Sequence, residues 1–190
     1  MSNDDDLYPK GEAMSKVVLG MNVTLDGYVA RTNGALDWMF PNIDAERTQS
    51  IVEELSEIDT FLMGRVTYEG MAAHWPTADD EIAPLMNRAT KVVFSRTLSR
   101  LDWENCRLAT RDPGAEIAEL KQQGKTIGVA GGATFAQSLS EQRLIDEYNL
   151  TIHPVALGTG LPLFTAPINL KLLNTRVYDT GAVLHNYQPA

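Results

Sequence analysis

From Lys16 onward the chain alternates short apolar runs with amphipathic stretches, and that alternation confines it to layered α/β folds more tightly than any other feature. The run from Lys16 to Val23 is apolar enough for a buried strand, and Asp26-Gly27 supplies turn chemistry after it. Ile51, Val52, Leu55 and Ile58 recur at helical spacing, so a helix is predicted over about Asp44 to Glu57 with its apolar face on the sheet. Thr60 to Met63 reads as a short strand that Gly64-Arg65 turns into a helix near Val66 to Ala73. Lys91 to Phe94 is another strand, ending at Ser95-Arg96. Asp112 as N-cap, Pro113 at the first helical position and Gly124 just past the end bracket a further helix. Thr126 to Ala130 forms a strand that opens onto Gly131-Gly132, with a helix starting near Thr134. Beyond Ile145, Tyr148, Leu150 and Ile152 alternate with Asn149, Thr151 and His153, and strands follow around 170–178 and 182–187. The last third is therefore expected to be β-rich and antiparallel.

A chain of 190 residues suits one domain, and folding buries roughly 70% of the exposable surface at this size, enough for a core without disulfides or a structural metal. Residues 1–15 are acidic, lack apolar periodicity and are expected to form a flexible tail, leaving 16–190 as the single domain. Sixteen Lys and Arg against 25 Asp and Glu give 16 − 25 = −9, a far field that repels nucleic acid and anionic membrane surfaces. Cys106, the single cysteine, has no intramolecular disulfide partner, so a reducing, cytoplasmic setting is expected. The sequence has neither a run of 18 apolar residues nor a signal-peptide pattern at its start.

Three strand ends carry residues suited to anions: Gly64-Arg65-Val66-Thr67, Ser95-Arg96-Thr97 and Gly131-Gly132-Ala133-Thr134. Ligands of open α/β sheets sit outside the carboxyl ends of the strands, so the three segments can build one site. In the first and third a glycine lets backbone approach a phosphate just where a helix begins and its amides are free. Arg65 and Arg96 add positive charge on an otherwise acidic protein. Neither GxGxxG nor GxxxxGK[ST] occurs, and no GxSxG elbow is present. His74, His153 and His185 are scattered without HExxH or paired cysteines, so they read as structural and no metal is assigned. On a helical wheel of about 100° per residue, Asp44 falls about 20° from Ile51 and points to the apolar side, as a substrate-binding candidate or as a helix cap. Asp26 follows the first strand and either stabilises its turn or faces the cleft as a proton-transfer group. Trp38, beside Asp37 in a long loop with Met39 and Phe40, reads as an exposed aromatic that stacks on a planar ligand, or as a loop anchor.

The segments TLDGYVA, ALDW, FLMGRVTYEGM, VVFSRTL, VAGGATFAQSL, LIDEYNLTIHPVALGTGLPLF and GAVLHNY resemble, in that order, the dihydrofolate-reductase-like family. The most similar branch is that of the C-terminal reductase domain of the bifunctional riboflavin-biosynthesis deaminase-reductase. The resemblance implies a three-layer αβα sandwich, a central mixed sheet with a β-rich C-terminal third, and an NADPH-dependent oxidoreductase, expected to be a homodimer. Its substrate would be a small heterocyclic or carbonyl compound, as for a 5-amino-6-(5-phosphoribosylamino)uracil reductase. By the same resemblance Gly64, Arg65 and Thr67 border the cofactor phosphates, Ser95 and Arg96 the adenosine 2′-phosphate, and Gly131, Gly132, Ala133 and Thr134 the pyrophosphate. The Gly-Gly step is often a cis peptide in dihydrofolate reductases. Asp26, Asp37 and Trp38 match the loop beside the substrate, and Asp44 alone could imitate the pterin-holding carboxylate of the first helix. Ala130 stands where riboflavin-pathway reductases usually carry Glu, which keeps two alternatives open: a dihydrofolate-type reductase, or a non-catalytic nucleotide-binding module.

Overall fold

The computed structural model describes residues 15–190, so almost all of the expected N-terminal tail lies outside the described residues. Ser15, assigned to that tail, donates its hydroxyl to the Lys125 carbonyl. In chain order come β1 (Val17–Thr24), β2 (Tyr28–Ala30), α1 (Ala45–Ser56), β3 (Thr60–Gly64), α2 (Arg65–His74), α3 (Ala83–Arg88), β4 (Thr90–Phe94) and β5 (Cys106–Leu108). They are followed by α4 (Pro113–Gln122), β6 (Ile127–Ala130), α5 (Ala133–Glu141), β7 (Glu147–His153), β8 (Leu161–Pro162), β9 (Leu170–Val177) and β10 (Val183–Pro189). Asp112 caps α4 by accepting from the Ala115 amide at 3.0 Å, and Gly124 follows the helix at φ +71°, as the sequence predicts. No helix among the described residues is long and apolar enough to cross a membrane.

Eight strands form the central sheet in the order β5-β4-β3-β6-β1-β7-β10-β9, and β2 pairs with β8 in a small second sheet. The first six run parallel, while β10 is antiparallel to both β7 and β9. The expectation of an antiparallel last third therefore holds for β10 with both β9 and β7, and fails only at the edge where β7 meets β1. After α5 crosses over, β7 lands beside β1 in parallel, from Val18 opposite Glu147 to Thr24 opposite His153. The short β5 and α3, of three and six residues, are too brief for periodicity to reveal.

Strand register separates two faces. On one, Val17, Leu19, Leu62, Ile127 and Val129 pack with Ile117 and Leu120 of α4 and Ala136 and Leu139 of α5. On the other, Phe61 and Met63 pack with Tyr68 of α2, Met86 of α3 and Trp103. The result is an α/β three-layer sandwich. Where α1 covers the second face, the layer is polar. The buried residues of α1 are Arg47 and Ser50, while Ile51, Val52 and Leu55 are only half-buried, contrary to the apolar face predicted for this helix. Thr151 and His153 of β7 are likewise buried beneath it, so the polar side of the alternating strand faces protein rather than water. Pairing explains both results: Arg47 Nη2 donates to Thr151 Oγ1 at 3.0 Å, and the Tyr178 hydroxyl donates to Ser50 Oγ at 2.8 Å.

Candidate functional site

Adjacent strand ends bring the three glycine and arginine segments to one corner. Gly64 at the end of β3 sits opposite Phe94 of β4, and the Phe94 and Phe135 rings lie 5.2 Å apart, tying β4 to α5. A Cβ on Gly132 would stand 2.7 Å from Thr67 Oγ1, and one on Gly131 would stand 3.2 Å from Thr67 Cγ2. The two glycines thus pack α5 onto the start of α2, both with positive φ, +50° for Gly131 and +79° for Gly132. No peptide among the described residues is cis, so the Gly-Gly step makes its turn through these dihedrals instead.

The helix starts at this corner differ from those elsewhere. α2 and α5 begin at Gly64 and Gly132 with no side-chain cap and no acidic residue in the first turn. By contrast, Asp44 caps α1, Asp112 caps α4, and Asp80 accepts the Ile82 and Ala83 amides at the start of α3. Two sets of free amides and two positive dipole ends are left at one place, with no acidic residue in either first turn to repel an anion. Ala133 is buried and Thr134 exposed in the first turn of α5. Ser95 Oγ accepts from the amides of Thr97 and Leu98 at 3.2 and 3.0 Å, a tight turn with Arg96 at its tip. Arg96 is exposed and makes no side-chain hydrogen bond or ion pair among the described residues, unlike every other arginine. Arg65 is held by Glu69 along α2, at 2.8 Å.

The proposed substrate residues gather at the carboxyl ends of β1 and β7. Asp26 accepts from Thr24 Oγ1 at 2.5 Å, from the Gly158 amide at 2.7 Å and from the Leu157 amide at 3.2 Å. The Thr24 hydroxyl above all, with help from these amides, holds the Asp26 carboxyl below its ordinary range against the opposing desolvation. Asp26 thereby ties the β1–β2 turn to the loop after β7. Asp37 forms a two-pronged ion pair with Arg31 at 2.7 and 2.9 Å on the exposed rim. Asp44 accepts the Arg47 amide at 2.8 Å, so its carboxylate is engaged as the α1 cap. Trp38 is buried rather than exposed, its ring edge-on to His153 at 5.3 Å, whereas the neighbouring Phe40 faces solvent. The indole fills the polar layer beneath the loop and anchors it there.

Sequence reasoning missed Arg47, Asn22 and Thr151. Arg47 is 5% exposed, donates to Glu54 at 2.7 Å, and lies beside the Tyr178 ring. A signal existed: on a wheel of about 100° per residue Arg47 falls about 40° from Ile51, a cation within the apolar arc. His153 is fully buried, with Nε2 2.9 Å from Asn22 Oδ1. Desolvation, and then the Arg47 charge, push its pKa down to about 4.

Comparison with known proteins places this geometry. The RibD C-terminal domain family matches residues 15–184. The uncharacterised protein YyaP of Bacillus subtilis (strain 168) is 35% identical over 178 residues, covering 88% of this chain and 92% of its own. Among crystal structures, a Shewanella sp. PV-4 protein whose name provisionally assigns it to riboflavin biosynthesis superposes with a TM-score of 0.75 at 23% identity, covering 92% of this chain and 99% of its own. Dihydrofolate reductase from Enterococcus faecalis, complexed with NADP(H), superposes with a TM-score of 0.62 at 15% identity, covering 93% and 97%. With the sheet order, the helix-start corner and these matches together, the chain belongs to the RibD C-terminal domain family and has the dihydrofolate-reductase-like fold.

Proposed function

We propose that the protein is an NADPH-dependent reductase of a small heterocyclic or carbonyl substrate, in the manner of a 5-amino-6-(5-phosphoribosylamino)uracil reductase of riboflavin biosynthesis. One observation carries this reading: two uncapped helix starts, with no acidic residue in their first turns, share a corner with Arg96, the arginine that has no partner among the described residues. Such a corner suits a diphosphate, and Arg96 at the tip of its turn suits a further 2′-phosphate. The Enterococcus relative, described with NADP(H), supports the cofactor, and the Shewanella relative supports the pathway. When bound, the reduced nicotinamide supplies the hydride.

The chain's own residues bind and orient. Gly64, Gly131 and Gly132 let backbone amides approach phosphate oxygens, Thr67 keeps the two helix starts in contact, and Ala133 and Thr134 open the turn that presents them. Arg65 contributes charge from the α2 surface, tempered by Glu69. Asp26, Asp37 and Trp38 border the substrate, and Asp44 holds the start of α1 in place. Because its pKa is lowered, Asp26 is a fixed anion at neutral pH that positions the loop and a water. The proton is proposed to come from that water rather than from a neutral Asp26. A cytoplasmic setting belongs to the same proposal, since Cys106 is the single thiol.

Two measurements test it. Millimolar NADPH is expected to raise the melting temperature of the purified protein, and no shift at that concentration would remove the cofactor. Arg96→Ala is expected to weaken NADPH binding about tenfold or more while changing NADH less than about twofold, as fits loss of a charge-assisted contact to one phosphate. Equal losses for both cofactors would remove the 2′-phosphate role. A homodimer is also proposed, on the edge strand β9, where Leu172, Leu173 and Val177 are exposed beside unpaired backbone. Light scattering is expected to return twice the chain mass, and a monomer at micromolar concentration would refute that.

A further inference from the structure

A cavity of about 80 Å³ lies at the far end of α5 from the glycine corner, between the last turn of that helix and the 164–168 loop that follows β8. It is well under the roughly 300 Å³ from which sites for larger ligands begin, yet far roomier than a single water requires. Two buried hydroxyls stand at its inner side. Ser140 Oγ lines the cavity, and Tyr148, fully buried with its ring 5.9 Å from that of the lining residue Phe164, carries the second. Neither hydroxyl has a hydrogen-bond partner among the described residues. Burial pushes the Tyr148 pKa up, while Ser140 and the Arg143 charge act on the same hydroxyl in the opposite sense, so the three groups lie close together. Buried polar atoms are nearly always paired, and two orphan hydroxyls beside an open space point to a partner that enters that space.

Charge around the opening defines that partner. Glu141 and Arg143 both line the cavity, yet neither forms an ion pair among the described residues, with the other or with any third group. Each is tied to the loop instead: Glu141 accepts from Thr165 Oγ1 at 2.6 Å, and Arg143 Nη2 donates to the Pro167 carbonyl at 3.3 Å. A carboxylate and a guanidinium thus stand apart across one small space, an arrangement that a zwitterion bridges. The carbonyl end of α5 adds partial negative charge beside Glu141, which suits an ammonium and opposes a lone anion. Backbone geometry singles out Arg143 as well. α5 closes with Arg143 N on Ser140 O at 3.1 Å and Leu144 N on Leu139 O at 3.0 Å, a pattern whose left-handed residue is usually glycine. Arg143 holds that place at φ +57°, so a strained position carries a long cation that lines the cavity.

We propose that this cavity is a binding site for a small α-amino acid, separate from the cofactor corner. The ligand carboxylate accepts from the Ser140 and Tyr148 hydroxyls and the Arg143 guanidinium, its ammonium donates to Glu141, and a short side chain rests on Phe164 and Ile168. A lone carboxylate would face Glu141 and the negative helix end, a lone amine would leave the hydroxyls and Arg143 without an acceptor of full charge, and water would supply neither charge. Recognition here requires neither the cofactor nor hydride chemistry, so the site goes beyond the reductase reading and stands or falls apart from it.

The test titrates the full chain with L-alanine and with two molecules that each keep one of its charges, propionate and ethylamine, read by thermal shift and ligand-detected NMR. L-alanine is expected to bind in the millimolar range, since so small a ligand makes few contacts, and at least about tenfold more tightly than either control. Tyr148→Phe and Glu141→Gln are each expected to weaken it about tenfold or more. Glu141→Gln keeps an acceptor for Thr165 on an exposed residue, so it tests the charge even where the buried Tyr148→Phe unfolds the chain. Arg143→Gly gives a readout that packing alone would not: the free protein is expected to melt at an unchanged or higher temperature, relieved of the strained position, while L-alanine weakens about tenfold. No L-alanine binding at about 50 mM, which leaves the cavity to water only, would overturn the site. Equal binding of propionate or ethylamine, or unaltered L-alanine affinity in Glu141→Gln and Arg143→Gly, would overturn it too. NADPH is expected not to displace L-alanine, and displacement would overturn the separation of the two sites.

Discussion

Between pH 7 and pH 4 the protein is expected to lose on the order of 3 kcal/mol of stability through His153 alone. Its pKa in the fold is about 4 against an ordinary 6.5, because burial disfavours the imidazolium and the Arg47 guanidinium adds repulsion. The groups facing the ring are Asn22, Trp38 and Arg47, and none is an acid that could stabilise the charge. Below pH 6.5 the unfolded chain takes up a proton that the native ring refuses, so stability falls by about 1.4 kcal/mol per pH unit until the native ring also protonates. Glu116 governs a second, more acidic window. Arg107 bonds its carboxylate at 2.6 and 3.1 Å, and the Thr110 amide at 2.9 Å, holding its pKa down to about 2. The stability it contributes is complete above about pH 4.5 and is lost as pH drops from there toward 2. Urea unfolding at half-unit steps from pH 7 to 4.5 checks the first window, with His153→Gln as the control. The variant should flatten the slope. A flat wild-type profile would mean that the ring protonates as freely in the fold as outside it.

Gly132→Ala is expected to cost about 2 to 3 kcal/mol of stability and most of the affinity for NADPH. Two effects add. At φ +79° a residue with a Cβ pays about 1 to 2 kcal/mol against glycine, and the new Cβ would meet Thr67 Oγ1 at 2.7 Å, inside contact distance. Relief by shifting the backbone separates the starts of α2 and α5, whose joint amides are the proposed phosphate cradle. The double variant Thr67→Ala, Gly132→Ala removes the collision and leaves the dihedral cost, so it should regain about half of the lost stability. Thermal melts with and without NADPH measure both quantities. A single variant with unchanged melting and unchanged NADPH affinity would separate this glycine from both packing and binding.

Local chemistry made much of this fold legible. Asp112, Pro113 and Gly124 announce α4 because caps and turns are decided within a few residues, and the structure has α4 where they put it. Gly64, Gly131 and Gly132 could be read as close-approach turns for the same reason, and Arg96 stood out as charge against an acidic background. Trp38 and Arg47 were not legible in this way. An indole in a polar loop reads as exposed, and an arginine in a helix reads as solvated, unless the groups that cover them are known. For Arg47 the decisive partner, Thr151, lies 104 residues away.

By itself, then, the sequence determined the order of the longer strands and helices, many of the places where the chain turns, and the anion-suited residues at three strand ends, because each depends on backbone preferences and neighbours in the chain. The tertiary structure alone decided that those three ends share a corner, that β7 joins β1 in parallel, and that a cation, an imidazole and an indole are sealed together under α1. Burial and hydrogen-bond partnership are properties of distant segments brought into contact, and no local pattern encodes them.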